Sequence, residues 1–345
     1  MKNIFLNNKL EKWISKNISD LGEIINITKF EVGQSNPTYK IEFNKKNIVL
    51  RSQPKGTLLR GAHRIDREYR VMSALKNTKI PVPKMLCYCN EKKIIGTEFY
   101  LMDYIDGIQE TNPILPKFGI INKKQIYKNK LDILINLSKL NLKKIEMENF
   151  SKSYNYIEKQ IKLWIDQYRA SETKKIKSME FLIDKLIIHI PKIFEKFPNV
   201  LIHGDFRLDN MILEKRKKNE ILGLLDWELS TLAPPFIDLS YWSLMLRFKK
   251  EWAINGLGFD ETRENIKGIP SEKEIFETYS NALSYDISKY WYYLLAFNSF
   301  RFAGILQGIT KRVLIGNNAG QNAKKIGKQA EPVAKMGEIF LKKYI

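Results

Sequence analysis

Cysteine is nearly missing from this chain of 345 residues, which holds only Cys87 and Cys89. Neither has the spaced Cys or His partners of a zinc site, and two thiols on alternate residues form no disulfide framework. They read as strand residues in a reducing compartment. Long apolar runs are missing as well. The greasiest stretches, Tyr241–Leu246 and Trp291–Phe297, fall short of the roughly 18 residues that a membrane-crossing helix needs. At the N-terminus, Ile4–Leu6 runs straight into Asn7, Asn8 and Lys9, which breaks any secretory pattern. A cytoplasmic protein with no membrane span is the expectation. Acidic residues are scarce beside basic ones, 38 Asp+Glu against 58 Lys+Arg, for a net charge of +20. Such a charge attracts polyanions. Yet the lysines are spread over the whole chain among many asparagines and isoleucines, a bias that low-GC coding produces with no selected partner, and no nucleic-acid recognition motif accompanies them. No specific nucleic-acid partner is expected.

What is present suits an ordinary globular protein, 44% hydrophobic and 12% aromatic, long enough for two lobes sharing a cleft. A helical pattern at Leu10–Ile18 precedes β-like runs at Ile24–Val32, Tyr39–Phe43 and Asn47–Arg51, with turn signals at Gly33–Pro37 and Asn44–Lys46. From His63 to Leu75, Ile65, Tyr69, Met72 and Leu75 gather on one helical face. Runs at Met85–Tyr88 and Glu98–Met102 complete five predicted strands. Beyond Gly107 long helical patterns take over, at Lys124–Asn141, Tyr154–Tyr168, Met179–Ile190, Glu272–Leu283, Tyr290–Gln307 and Gln321–Leu341. One β-like block, Val200–Trp227, interrupts them, and Pro113–Phe118 reads as a surface loop. The fold class expected is α+β, with an N-lobe at residues 1–105 and a mainly helical C-lobe at 106–345.

The chemistry concentrates in Leu201-Ile202-His203-Gly204-Asp205-Phe206-Arg207-Leu208-Asp209-Asn210-Met211-Ile212-Leu213 and in Leu222-Gly223-Leu224-Leu225-Asp226-Trp227-Glu228. Apolar residues bracket each polar cluster, which places each on a loop between buried strands. Phosphoryl transfer needs a carboxylate to orient the acceptor hydroxyl, and an amide with a second carboxylate to hold magnesium on the nucleotide phosphates. Asp205, Asn210 and Asp226 supply that set.

Here the chain resembles the aminoglycoside phosphotransferase and choline kinase superfamily, whose signature is His-Gly-Asp, four residues, Asn, then an apolar strand ending in Asp. It is more closely similar to the phosphotransferase domains fused in some proteins to acyl-CoA dehydrogenases. Gln34-Ser35-Asn36-Pro37-Thr38-Tyr39, Val49-Leu50-Arg51, Asp66-Arg67-Glu68-Tyr69-Arg70-Val71-Met72, Pro81-Val82-Pro83, Asp226-Trp227-Glu228-Leu229-Ser230 and Phe300-Arg301-Phe302-Ala303 carry that likeness. It implies a protein-kinase-like bilobal fold and an ATP-dependent, Mg2+-requiring kinase of a small hydroxylated molecule. Asp205 is then the catalytic carboxylate, while Asn210 and Asp226 bind the metal and Glu228 reaches a second one. Arg207 either stabilises the transferred group's charge or braces the loop. Arg51, paired with Glu68, takes the place of the usual phosphate-binding lysine. Gly33, Ser35, Asn36 and Thr38 cover the phosphates, and Met102, Asp103 and Ile105 form the adenine-holding hinge.

Among the histidines, His203 reads as holding the catalytic loop, His189 as structural, and His63 as capping its helix in preference to approaching the phosphates. Asp238 resembles the helix-start aspartate that braces the catalytic loop, although Ala233-Pro234-Pro235 replaces the usual Gly-Asp-Pro before it and puts that geometry in question. The positive charge, together with Arg301, Lys311, Arg312, Lys324, Lys325 and Lys328 beside the apolar Phe300–Ile309 segment, favours an anionic acceptor, a hydroxyacyl-CoA or hydroxy acid. Cations would meet the phosphates of CoA and the apolar helix its acyl chain. The alternatives are an aminoglycoside-type antibiotic kinase and a non-catalytic nucleotide-binding pseudokinase.

Overall fold

Period-two burial marks one strand of the first sheet, where Tyr39, Ile41 and Phe43 point to one face, while the next strand is buried continuously from Ile48 to Ser52. The computed structural model describes residues 8–30, 36–56, 63–151, 155–254, 256–258, 266–316 and 322–345. They divide into two compact units, one of residues 1–109, 141–148 and 210–230, the other of residues 110–140, 149–209 and 231–345. The later segment 210–230 therefore groups with the N-terminal residues.

The first unit opens with helix α1 (Asn8–Asn17), then β1 (Ile24–Lys29), β2 (Thr38–Phe43) and β3 (Asn47–Ser52). Helix α2 (Ile65–Leu75) leads to β4 (Met85–Cys89) and β5 (Phe99–Asp103). The strands pair antiparallel in the order β1-β2-β3-β5-β4. Leu10 and Ile14 of α1 join Ile41, Ile48, Phe99 and Leu101 in one apolar cluster. Cys87 and Cys89 are free thiols on β4, and burial pushes the Cys87 thiol up to about 12, too high for a reactive thiolate. A hairpin of β7 (Met211–Leu213) and β8 (Ile221–Leu224) completes the unit.

In that hairpin Leu213 exchanges backbone hydrogen bonds with Ile108 at 2.8 and 2.9 Å. The close approach requires glycine. A Cβ on Gly107 would stand 2.2 Å from Ile212 Cγ2 and 2.6 Å from the Leu213 carbonyl oxygen, and one on Gly223 would stand 2.7 Å from Ile105 Cδ1.

The second unit is helical around α8 (Trp291–Leu314), against which α4 (Tyr156–Ser171), α5 (Lys177–Leu186), α6 (Ile237–Arg247) and α10 (Ala330–Tyr344) pack. The short α9 (Ala323–Gly327) also packs on α8, and α3 (Ile120–Ser138) packs against α7 (Glu272–Leu283). Ser271 and Glu274 form a capping box that starts α7 where the sequence pattern begins. The helix expected across residues 321–341 is broken between α9 and α10. Pro332 lacks an N–H and is tolerated only in a first turn, so a helix must restart just ahead of it. The loop at Pro113–Phe118 is anchored by fully buried Leu115 and by Phe118. Strand β6 (Val200–Ile202) pairs with β9 (Thr231–Ala233). Among the described residues no helix is long and apolar enough to cross a membrane.

Candidate active site

In the first unit the apolar stripe of α2 runs through Ile65, Met72 and Leu75, and Glu68 occupies a position on that same inward face, with no solvent exposure. A buried carboxylate needs partners. Strand register supplies them: Thr38, Arg51 and Tyr100 lie side by side on β2, β3 and β5. Arg51 Nη2 donates to Glu68 Oε1 at 3.2 Å, with Nε 2.9 Å from Oε2, and Tyr100 donates to Oε2 at 2.8 Å. Arg51 Nη1 donates to Thr38 Oγ1 at 3.3 Å. Fully buried Asn36 donates to Glu68 Oε1 at 3.0 Å and to Glu228 Oε2 at 3.3 Å.

Arg51 Nη2 also donates to Asp226 Oδ1 at 3.0 Å. Asp226 follows β8 with φ of 66°, a left-handed conformation uncommon for aspartate. Buried Trp227, whose indole N–H donates to the Leu224 carbonyl at 2.9 Å, keeps the backbone there. Asn210 stands across the hairpin, its carbonyl accepting from Leu225 N–H at 2.8 Å. Oxygens of Glu68, Asp226 and Glu228 all lie within 4.8 Å of one another. A set of hard carboxylate oxygens fits a magnesium-type ion.

Electrostatics couple these groups. Burial disfavours the Arg51 charge, yet Glu68, Tyr100 and Asp226 together raise its pKa above the ordinary value. Burial pushes the Glu68 carboxyl up, and Arg51 opposes that. Breaking such a buried pair from one side leaves an uncompensated charge. Arg51→Ala and Glu68→Ala should therefore each lower kcat/KM for ATP by more than tenfold, and the double variant should be scarcely worse. A double-mutant cycle is expected to show a coupling energy of about 1–3 kcal/mol; simple additivity would mean that the two side chains do not act as a unit.

Met102 is buried on β5 opposite Val49, Asp103 pairs with Lys46 at 2.6 Å, and Ile105 abuts the hairpin at Gly223. Gly33 and Ser35 lie outside the described residues. His63 does not cap α2, which has Arg64 at its N-cap and no side-chain cap bond; its Nδ1 instead lies 3.1 Å from Asn36 Oδ1. The ring thus serves the polar cluster and not the helix end.

The second unit presents the His-Gly-Asp loop immediately after β6. Asp238, in the first turn of α6, accepts from His203 N–H at 2.6 Å and from Gly204 N–H at 2.9 Å. This brace persists beside Ala233-Pro234-Pro235. Burial pushes the Asp238 carboxyl up, with His203 and the two N–H groups opposing. His203 Nδ1 accepts from Asp205 N–H at 3.2 Å, as expected of a loop-holding histidine. Tyr241, one turn past Asp238 on the same helix face, donates to Asp205 Oδ1 at 2.7 Å. Arg207 Nε lies 3.9 Å from Asp205 Oδ1 and donates to Asp209 Oδ1 at 2.8 Å.

Two sequence expectations are corrected here. Arg301 is no surface cation: it is buried on α8, donates to Asn298 Oδ1 at 3.0 Å and reaches the Gly204 carbonyl at 3.5 Å. Phe300, Phe302, Ala303 and Leu306 are core, because α8 is enclosed by helices on several sides, so they offer no acyl groove. Tyr100 and Tyr241 were missed by sequence reasoning. Spacing from Asp238 could have found the second; nothing local marks the first.

A model of the phosphotransferase enzyme family matches residues 26–261. The mouse protein acyl-CoA dehydrogenase family member 10 is 40% identical over 317 residues, covering 92% of this chain; the chain spans only 29% of that relative's length. A solved structure from Ralstonia eutropha, provisionally assigned as an aminoglycoside phosphotransferase, is 34% identical with a TM-score of 0.86, covering 97% of this chain and 98% of that one. An aminoglycoside phosphotransferase in ternary complex with AMP-PNP and hygromycin B shares the fold at 11% identity and a TM-score of 0.61, covering 96% and 99%. This chain, with its kinase-like α+β fold, belongs to the phosphotransferase enzyme family and is a small-molecule kinase.

Proposed function

We propose that the protein transfers the γ-phosphoryl group of ATP, with Mg2+, to a hydroxyl group of a small anionic metabolite, a hydroxyacyl-CoA or a related hydroxy acid. One observation carries the kinase reading beyond family membership. Arg51, Glu68 and Asp226, far apart in sequence, share a single hydrogen-bonded set. A strand cation locked to a helix carboxylate is what positioning of nucleotide phosphates calls for.

Asp226 and Glu228, with the amide of Asn210, are the residues that would hold magnesium. When bound, MgATP supplies the phosphoryl group and the metal neutralises phosphate charge. Asp205 accepts the proton of the acceptor hydroxyl, and the bond from Tyr241 keeps its carboxylate oriented. Arg207 counters negative charge building up near Asp205, while Asp209 keeps the guanidinium in place. Backbone groups around Asp103 and Ile105 are those that would hold adenine, with Met102 lining its pocket. The intact Asp205, Asn210 and Asp226 argue against a pseudokinase.

The acceptor assignment draws on the acyl-CoA dehydrogenase name of the mouse relative and on charge. An aminoglycoside site must neutralise several ammonium groups, and a field of +20 opposes their capture. In support, a cavity of about 290 Å3 beside the His-Gly-Asp loop carries Lys130 and Arg207 on its wall, with Asp209 engaged by Arg207. Steady-state phosphorylation of hydroxyacyl-CoAs and hydroxy acids, set against kanamycin-type compounds at two ionic strengths, tests the assignment. Higher kcat/KM for the anionic alcohols is expected. Efficient antibiotic phosphorylation with no activity on any anionic alcohol would overturn the acceptor and leave the kinase standing.

A further inference from the structure

Lys130 takes no part in the phosphoryl-transfer steps above. It lies on the inward stripe of α3 with Ile126, Leu134 and Leu137, and is only 4% exposed. Its Nζ stands 4.4 Å from the ring centre of Trp242 and 5.3 Å from that of Phe206. Among the described residues it has no hydrogen-bond or ion-pair partner. Aromatic faces recover part of the cost of burying an ammonium, and burial accordingly draws this amine down to about 7, with Asp209 opposing. A donor placed so deep without a protein acceptor is poised for one that arrives with a ligand.

The space for that ligand is at hand. Lys130 lines the cavity of about 290 Å3 together with apolar Ile126, Phe206, Trp242 and Leu246. Tyr127, also on its wall, spends its hydroxyl on the Pro113 carbonyl at 2.7 Å. Arg207, on the opposite count, ties the cavity to Asp205 at 3.9 Å. At about 30 Å3 for each water-sized group, the cavity admits roughly ten such groups. That is room for a short aliphatic chain with two polar ends.

We propose that Lys130 is the specificity residue of the acceptor site, its Nζ donating to a carboxyl-derived oxygen of an acceptor whose aliphatic stem fills this cavity. The inference rests on the kinase reading for the identity of the ligand as acceptor, and it goes further in naming the atom that selects it. Acids, and carbonyl compounds made from them, are then preferred to plain alcohols of equal length, while a cationic acceptor meets a like charge.

Binding and turnover separate the two ideas. Calorimetry with 6-hydroxyhexanoate, 6-hydroxyhexanamide and 1,6-hexanediol should rank the acid at least tenfold above the diol, with the amide between if a neutral carbonyl suffices. In Lys130→Met that preference should collapse to less than twofold. The apolar side chain suits its surroundings, and a thermal melt no lower than wild type verifies folding. Equal affinities in the wild type, no binding of any probe, or a preference that survives in Lys130→Met would overturn the role of Lys130 and leave the kinase reading intact. Conversely, preserved selectivity in binding with no phosphoryl transfer to any of the three alcohols would count against the kinase reading alone.

Discussion

Asp205→Ala is expected to abolish phosphoryl transfer while MgATP still binds with a Kd within about twofold of wild type. Removing a positioned general base costs roughly 10^2–10^4-fold in rate, and here the carboxylate is specifically oriented, accepting from Tyr241 at 2.7 Å with Arg207 3.9 Å away. Asp205 belongs to the second unit, whereas the Arg51, Glu68 and Asp226 set assigned to the nucleotide lies in the first. Its side chain does not carry the loop, because Asp238 holds the backbone at His203 and Gly204. The variant should therefore fold. Stopped assays for product, with calorimetry for MgATP, read the two effects separately. Turnover within tenfold of wild type would remove Asp205 from the reaction.

Loss of Asp226 should act differently, weakening MgATP binding and turnover together. The carboxylate is one of three with oxygens inside 4.8 Å, and it is also the group that joins Arg51 to the hairpin. Asp226→Ala thus strips a proposed metal donor and frees a guanidinium that Glu68 must then balance. The expected loss of MgATP affinity exceeds the roughly 10–100-fold that follows removal of a group merely supporting a metal ligand. ATP without magnesium should bind wild type and variant with much smaller difference. An unaltered Mg2+ dependence of binding in Asp226→Ala would place the metal elsewhere.

The parts of this site that could be read from residues in order are those built locally. His203-Gly204-Asp205 and Asn210 share a single short segment, and the apolar runs around them announce strands whatever surrounds them. The same holds for β2, β3 and β5, whose β-like runs between turn signals assign Arg51 to a strand end, while the helical pattern from His63 to Leu75 places Glu68 on a helix. Family likeness supplied the pairing; spacing alone did not. His63 went astray because a residue just before a helix reads as its cap, while the competing acceptor, Asn36, is distant in sequence.

Everything that depends on what covers a face was hidden. A lysine in a charged helical pattern reads as solvated, and only the packing of α3 against Trp242 and Phe206 buries Lys130. Phe300–Ile309 reads equally well as a groove or as core, and enclosure of α8 by other helices made it core, taking Arg301 inward to the Gly204 carbonyl. Tyr100 became a partner of Glu68 only through the β3–β5 register. Periodicity records which residues share a face over a few turns or strands, so composition and spacing pointed to the α+β class and to a clustered carboxylate and amide set, and family likeness supplied the kinase-like fold and the role of each residue. Which buried charge meets which partner is a long-range choice made when remote segments pack, and that choice was the tertiary structure's.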